Sequence, residues 1–138
     1  MGLELPQNYR PSDDEPFMNE RQREYFRRRL VQWKDDIIRE SKETLQNLAQ
    51  DSIAHADVAD RASSEAERAN ELRARDRQRK LISKIDSALR RIEEGTYGFC
   101  EETGDPITLR RLEARPIATL SLEAQERHEK REKVYRDD

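Results

Sequence analysis

The stretch NERQREYFRRRLVQWKDDIIRESKETLQNL, residues 19–48, decides the fold. Phe26, Leu30, Trp33, Ile37, Ser41, Leu45 and Leu48 recur along it in six steps over 22 residues. The mean spacing of about 3.7 is the period of an α-helix and not of a strand. Neither Gly nor Pro interrupts the run. Asn19 followed by Gln22 has the pattern of a capping box, in which two polar side chains satisfy the free backbone N–H groups of a helix start. A long helix therefore begins at about residue 19. Its single apolar stripe, set among arginines and carboxylates, calls for a partner helix to cover it.

Downstream, QDSIAHADV (50–58) loses the period and carries cap-forming residues. A second stripe follows through Ala62, Ala66, Ala69, Leu72, Leu81, Ile85, Leu89 and Ile92. Its alanine-rich half permits close approach of a neighbouring helix. RARDRQRK (73–80) interrupts it with five basic residues and one acidic. Glu71 with Arg75 and Asp76 with Lys80 are spaced as acid-before-base i,i+4 pairs, each contributing about 0.2–0.5 kcal/mol. Gly95 stands where a helix takes a left-handed cap. Two helices of about 30 residues with a short connection fold back antiparallel, giving a coiled-coil hairpin about 45 Å long over residues 19–94 with its tip at about 50–60.

On either side the chain changes character. Residues 1–18 form an acidic arm punctuated by Pro6, Pro11 and Pro16, whose Tyr9, Phe17 and Met18 are expected to pack on the globular part. Residues 95–116 hold Gly95, Gly98, Gly104, Pro106 and Pro116 with Tyr97, Phe99 and Cys100, which reads as a small turn-rich module. SLEAQERHEKREKVY (121–135) predicts a last helix with Ser121 as N-cap. The expected fold is mainly all-α: an antiparallel hairpin, a small globular module over 95–138 and its C-terminal helix.

Composition excludes several classes of function. Of 138 residues, 41% are charged, against about 25% in an ordinary soluble domain, and 33% are apolar. That suits a thin helical shape better than a sphere with a large core. No apolar run approaches the roughly 18 residues of a membrane span, and MGLELPQNYR lacks a signal-peptide core, so a cytoplasmic protein is expected. Twenty-seven Lys+Arg against 30 Asp+Glu leave a net charge of -3, unlike a general polyanion binder. Cys100 is the sole cysteine, and with only His55 and His128 beside it a four-ligand zinc site of Cys and His cannot be assembled. Gly-rich phosphate loops and a Ser-His-carboxylate pattern are absent too, so no enzyme is expected.

The tip is the sharpest feature. Between residues 51 and 72 six acids (Asp51, Asp57, Asp60, Glu65, Glu67, Glu71) face two arginines (Arg61, Arg68), a local balance of -4, immediately before the basic run. Asp57-x-x-Asp60 reads in two ways that are compatible. One carboxylate caps the second helix, or carboxylates on an extended tip are carried to a positive or metal-bearing site in a partner.

DVADRA (57–62), ELRARDRQRKLISKI (71–85), YGFCEETG (97–104) and RRLEARPIATL (110–120) stand in the order and spacing of the DksA/TraR family of RNA polymerase regulators, which the chain resembles over most of its length. YRPSDDEPFMNERQREYFRRRL (9–30) resembles the DksA branch of it. The resemblance implies a hairpin inserted into the secondary channel of bacterial RNA polymerase, its tip near the active centre, destabilising open promoter complexes. It also implies action with the alarmone guanosine tetraphosphate, ppGpp, bound at the interface with polymerase. By the same resemblance the tip residues are Asp57, Asp60 and Ala62, the rim-docking residue is Arg77, and the alarmone set is Lys80, Leu81, Lys84 and Arg115. Several cations at one place are what two diphosphates require.

Two departures from the family pattern follow. Its four zinc-ligand positions fall here on Cys100, Thr103, Ser121 and Ala124, as in the family's cysteine-poor variants. Zinc is not expected, and Tyr97, Phe99, Ile107, Leu109, Leu112 and Leu120 must replace by packing what a structural metal supplies. Gln125 stands where the alarmone set has a lysine. Three alternatives are weaker. A Gre-type cleavage factor would have the coiled coil first and a larger globular domain after it. A nucleic-acid binder would have aromatics interleaved with its arginines. A coiled-coil adaptor would dimerise, whereas a monomer is expected here, with no membrane partner and no sequence-specific DNA binding.

Overall fold

The structure, a computed structural model, describes residues 3–54 and 58–137, with side chains left out at 48, 50–54, 58–62 and 135–137. Four helices follow one another: α1 (Glu20–Ala54), α2 (Val58–Glu94), α3 (Leu109–Ala114) and α4 (Leu122–Asp137). Among the described residues the strand-like element is a single antiparallel bridge between Phe99 and Pro106. The mainly helical expectation holds.

The ends of the helices follow from local chemistry. Asn19 Oδ1 accepts from the Gln22 N–H at 2.9 Å, the first half of the capping box. The second half differs. Gln22 Oε1 accepts from the Met18 N–H at 2.7 Å, because the Asn19 N–H already bonds the Pro16 carbonyl at 3.2 Å. At its other end α1 continues through Ala54, past residue 50 where the apolar period fails. Residues 50–54 contain no Gly or Pro, so the backbone stays helical after the buried stripe has stopped. α2 closes as expected at Gly95, with φ +81°. The Thr96 N–H bonds the Arg91 carbonyl at 2.9 Å and the Gly95 N–H bonds that of Ile92 at 3.3 Å, the paired bonds of a Schellman cap.

The chain divides into two compact units, one of Met1–Leu30 with Ser87–Asp138, the other of Val31–Asp86. In the first, Phe26 and Leu30 of α1, Ala88 and Ile92 of α2, Leu109 and Leu112 of α3 and Ala124 of α4 are buried together with Tyr97, Cys100, Ile107, Ile117 and Ala118. The arm belongs to this unit. Phe17 meets Phe99 edge-to-face at 5.4 Å and Tyr9 meets Tyr25 at 6.0 Å, while the Leu3 carbonyl accepts from Arg28 at 2.6 Å. Of the residues expected to replace the metal, Tyr97, Ile107, Leu109 and Leu112 are buried, Leu120 is half-buried and Phe99 is exposed. Phe99 covers Phe17 instead of entering the core.

In the second unit the two helical segments run antiparallel. Lys34 Nζ donates to Asp86 at 2.8 Å and Ser41 Oγ to Gln78 at 2.6 Å, pairs whose numbers rise on one helix as they fall on the other. Ile37 and Ile85 are its buried apolar residues among those described. Leu45 and Leu72, both on the expected stripes, are 43% and 48% exposed. A helix pair with alanine opposite them has no third layer to cover a leucine. The expected i,i+4 pairs give way to others: Asp76 pairs with Arg79 at 3.3 Å, and Glu71 Oε2 is buried without a partner.

Candidate functional site

The basic run lies on α2 within the second unit. Arg73, Arg77, Lys80 and Lys84 are all exposed and stand four, three and four residues apart, the spacing that stacks side chains along one helix face. Gln78, on another face, is the residue turned to α1 through Ser41. Leu81 is half-buried beside the row. The result is a line of cations on one side of a helix whose opposite side is used for pairing. Such a line suits an acidic protein surface or a phosphorylated ligand.

Arg115, the fourth residue of the expected alarmone set, lies in the first unit just after α3 and is exposed. The segment RRLEARP around it is accounted for residue by residue. Thr108 caps α3 by accepting from the Arg111 N–H at 3.2 Å. Arg111 Nε donates to the Leu120 carbonyl at 2.9 Å, and Leu112 is fully buried. Glu113 is held on α1 by the Tyr25 hydroxyl at 3.1 Å, while its carbonyl accepts from Arg29 at 2.9 Å. The Arg115 N–H bonds the Arg111 carbonyl at 2.8 Å, and the Pro116 carbonyl accepts from the buried Tyr97 hydroxyl at 2.8 Å. Burial in turn pushes the Tyr97 phenol well above its ordinary pKa.

The four positions of the zinc pattern also converge. Cys100 is 3% exposed. Burial pushes its thiol up, but hydrogen bonds from Thr103 and Ser121, through both side chain and backbone, outweigh this and bring it to about 6. Ser121 Oγ accepts from the Ala124 N–H at 3.3 Å, which starts α4 as expected. Ala124 itself is wholly buried. One sulfur, two hydroxyls engaged with that sulfur and a methyl group do not fit a four-thiolate zinc site. Among the described residues no group of three or more His, Cys, Asp or Glu is placed to hold a metal. Hydrogen bonds around the sulfur, the turn Cys100–Gly104 (Cys100 N–H to Asp105 carbonyl, 2.8 Å) and the pairing of His128 on α4 with Glu102 tie together the pieces a metal would otherwise join.

At the expected tip, Asp57 lies outside the described residues. Asp60 and Ala62 are part of α2, and their side chains are outside the described set. Sequence reasoning missed the polar hub of the first unit. Gln22 is fully buried and donates to the Ser12 carbonyl. The nearly buried Glu24 receives Arg27 and Arg28 at 2.6 and 2.8 Å. Desolvation opposes, but the Arg27 hydrogen bond leads in lowering the Glu24 carboxyl to about 2. An i,i+3 and an i,i+4 arginine after one glutamate is a signal that could have found it.

Comparison with known proteins places these features in a family. Residues 22–92 match the model of the N-terminal domain of the DnaK suppressor protein DksA, and residues 95–130 match the prokaryotic dksA/traR C4-type zinc finger. The chain is 69% identical over 131 residues to the RNA polymerase-binding transcription factor DksA of Caulobacter vibrioides, covering 95% of this chain and 92% of that protein. It is 41% identical to the factor of the same name from Escherichia coli strain K12, over 91% of this chain and 83% of that protein. The solved structure of transcription factor DksA2 from Pseudomonas aeruginosa is similar at a TM-score of 0.79 and 44% identity, covering 85% of this chain and 90% of that one. With a row of cations on α2 and a finger that keeps its turns without its thiolates, the chain belongs to the DksA family.

Proposed function

We infer that this protein is a transcription regulator that binds bacterial RNA polymerase and acts by contact, without catalysis. The observation that carries the reading is the exposed row Arg77, Lys80 and Lys84 on α2, in a chain 69% identical to a factor named for polymerase binding. In this reading Arg77 docks on the rim of the secondary channel. The tip residues Asp57, Asp60 and Ala62 reach toward the active centre, where a carboxylate disturbs the electrostatics that hold an open promoter complex. Lys80, Leu81, Lys84 and Arg115 hold ppGpp at the interface with polymerase, and Gln125 in place of a lysine leaves that set one cation short. Zinc has no part in it.

The test is transcription in vitro from a ribosomal RNA promoter with purified bacterial polymerase, comparing wild type with Asp60→Asn, with and without ppGpp. The reading expects inhibition that ppGpp deepens, and an Asp60→Asn variant that binds polymerase but does not inhibit. Inhibition indifferent to Asp60→Asn reduces that carboxylate to a helix-start residue. A wild-type protein that fails to bind polymerase overturns the reading.

A further inference from the structure

The first unit carries a feature that the proposed function leaves unused. A cavity of about 480 Å³ lies between α3 and the start of α4, with Arg110, Arg111, Arg115 and Leu122 in its wall. A second, of about 410 Å³, adjoins it and shares Pro106, Thr108 and Arg110. Arg110 and Arg115 are exposed, and neither guanidinium has a partner among the described residues. Arg111 is half-buried and anchored through Nε on the Leu120 carbonyl. Leu122 is 55% exposed, an apolar side chain left open at the first turn of α4. Opposing charge comes from Glu123 in the first cavity and Asp13 in the second.

Two hollows sharing one wall make a groove longer than a compact anion fills. Free guanidinium groups select carboxylates or phosphates, while an exposed leucine between them adds an apolar anchor point of the kind that protein partners use. We propose that this groove receives an extended acidic segment of RNA polymerase, its carboxylates on Arg110 and Arg115 and an apolar side chain against Leu122. The proposal rests on the polymerase reading and adds to it a contact surface on the globular unit, separate from the α2 row.

The experiment measures affinity of the full-length protein for bacterial polymerase at several salt concentrations, for wild type, Arg110→Glu, Leu122→Ser and Glu123→Gln. All three sites are exposed, so thermal melts of the variants should match wild type. Arg110→Glu is expected to weaken binding at least ~10-fold and to flatten its salt dependence, as loss of a close charge pair does. Leu122→Ser is expected to weaken it ~3-fold. Glu123→Gln, which removes a repelling charge, should tighten it ~2-fold, a gain that misfolding cannot produce. No binding by wild type overturns the polymerase reading itself. Binding by wild type that Arg110→Glu leaves unchanged overturns the groove alone. If free protein instead binds inorganic pyrophosphate in an Arg110-dependent way while polymerase affinity is untouched by Arg110→Glu, the groove is a small-anion site and the proposal fails.

Discussion

The two units of this protein use opposite means to hold their helices. In Val31–Asp86 the buried apolar residues described are Ile37 and Ile85, two leucines of the stripes lie open, and polar pairs such as Lys34–Asp86 and Ser41–Gln78 mark the register. In the unit of Met1–Leu30 and Ser87–Asp138, side chains from all four helices and the arm are buried around Phe26, Tyr97 and Leu112, and even the polar Gln22 and Glu24 are enclosed and bonded. The first arrangement leaves most of a helix surface available for contact with a partner. The second joins, without a metal, pieces that the family's four-thiolate pattern would otherwise clamp.

The contrast is broken most easily at the core. Leu112→Ala, at a fully buried position, should cost about 2–5 kcal/mol, whereas Leu72→Ala, half open in the other unit, should cost less than about 0.5 kcal/mol. Urea unfolding of both variants checks this, and equal losses would erase the distinction between the units.

Two glycines sharpen it within the packed unit. Both have positive φ, but a Cβ at Gly98 would stand 3.1 Å from Met18 Cγ and 3.2 Å from Phe17 Cζ, whereas one at Gly95 meets nothing within 4 Å. Gly95→Ala therefore carries backbone strain of about 1 kcal/mol. Gly98→Ala adds the displacement of the arm and should lose about 2–3 kcal/mol in all. If the two variants melt together, the arm is not held against the finger.

A smaller effect is expected from Tyr97→Phe, which leaves the Pro116 carbonyl without its buried donor at a cost of about 1–2 kcal/mol. Thermal unfolding against wild type measures it. No loss would mean that this bond does not secure the RRLEARP segment.

The last prediction concerns pH. The Glu24 carboxyl is lowered in the folded protein from its ordinary 4.5 to about 2, so the unfolded chain binds its proton first. The stability it contributes is complete above about pH 4.5 and is lost as pH falls toward 2. Urea midpoints of wild type and Glu24→Gln should converge across that window. A constant gap down to pH 2 would contradict the assignment.

What was legible in the sequence follows the same division. Both long helices, the Gly95 cap and the Ser121 cap could be read because each depends on local spacing and on one residue with a local job. Leu45 and Leu72 were misread because periodicity shows which face is apolar but not whether a further layer covers it. Phe99 was placed inside for its size, while the residues that fill the finger include Ala118 and Ala124, whose smallness gives no signal in a single sequence. The Arg110–Arg115 cluster was visible as a motif. That two of its guanidinium groups stand free beside a groove depends on which backbone carbonyl Arg111 reaches across nine residues. No periodicity encodes that.

The central claim is that packing and hydrogen bonds do the work of a metal in the finger, and a chelator tests it most directly. The full-length protein would be melted, and its affinity for bacterial polymerase measured, before and after exhaustive treatment with a strong zinc chelator. The account predicts the same melting midpoint and the same affinity in both preparations. A midpoint that falls on chelation and returns with added zinc would contradict it.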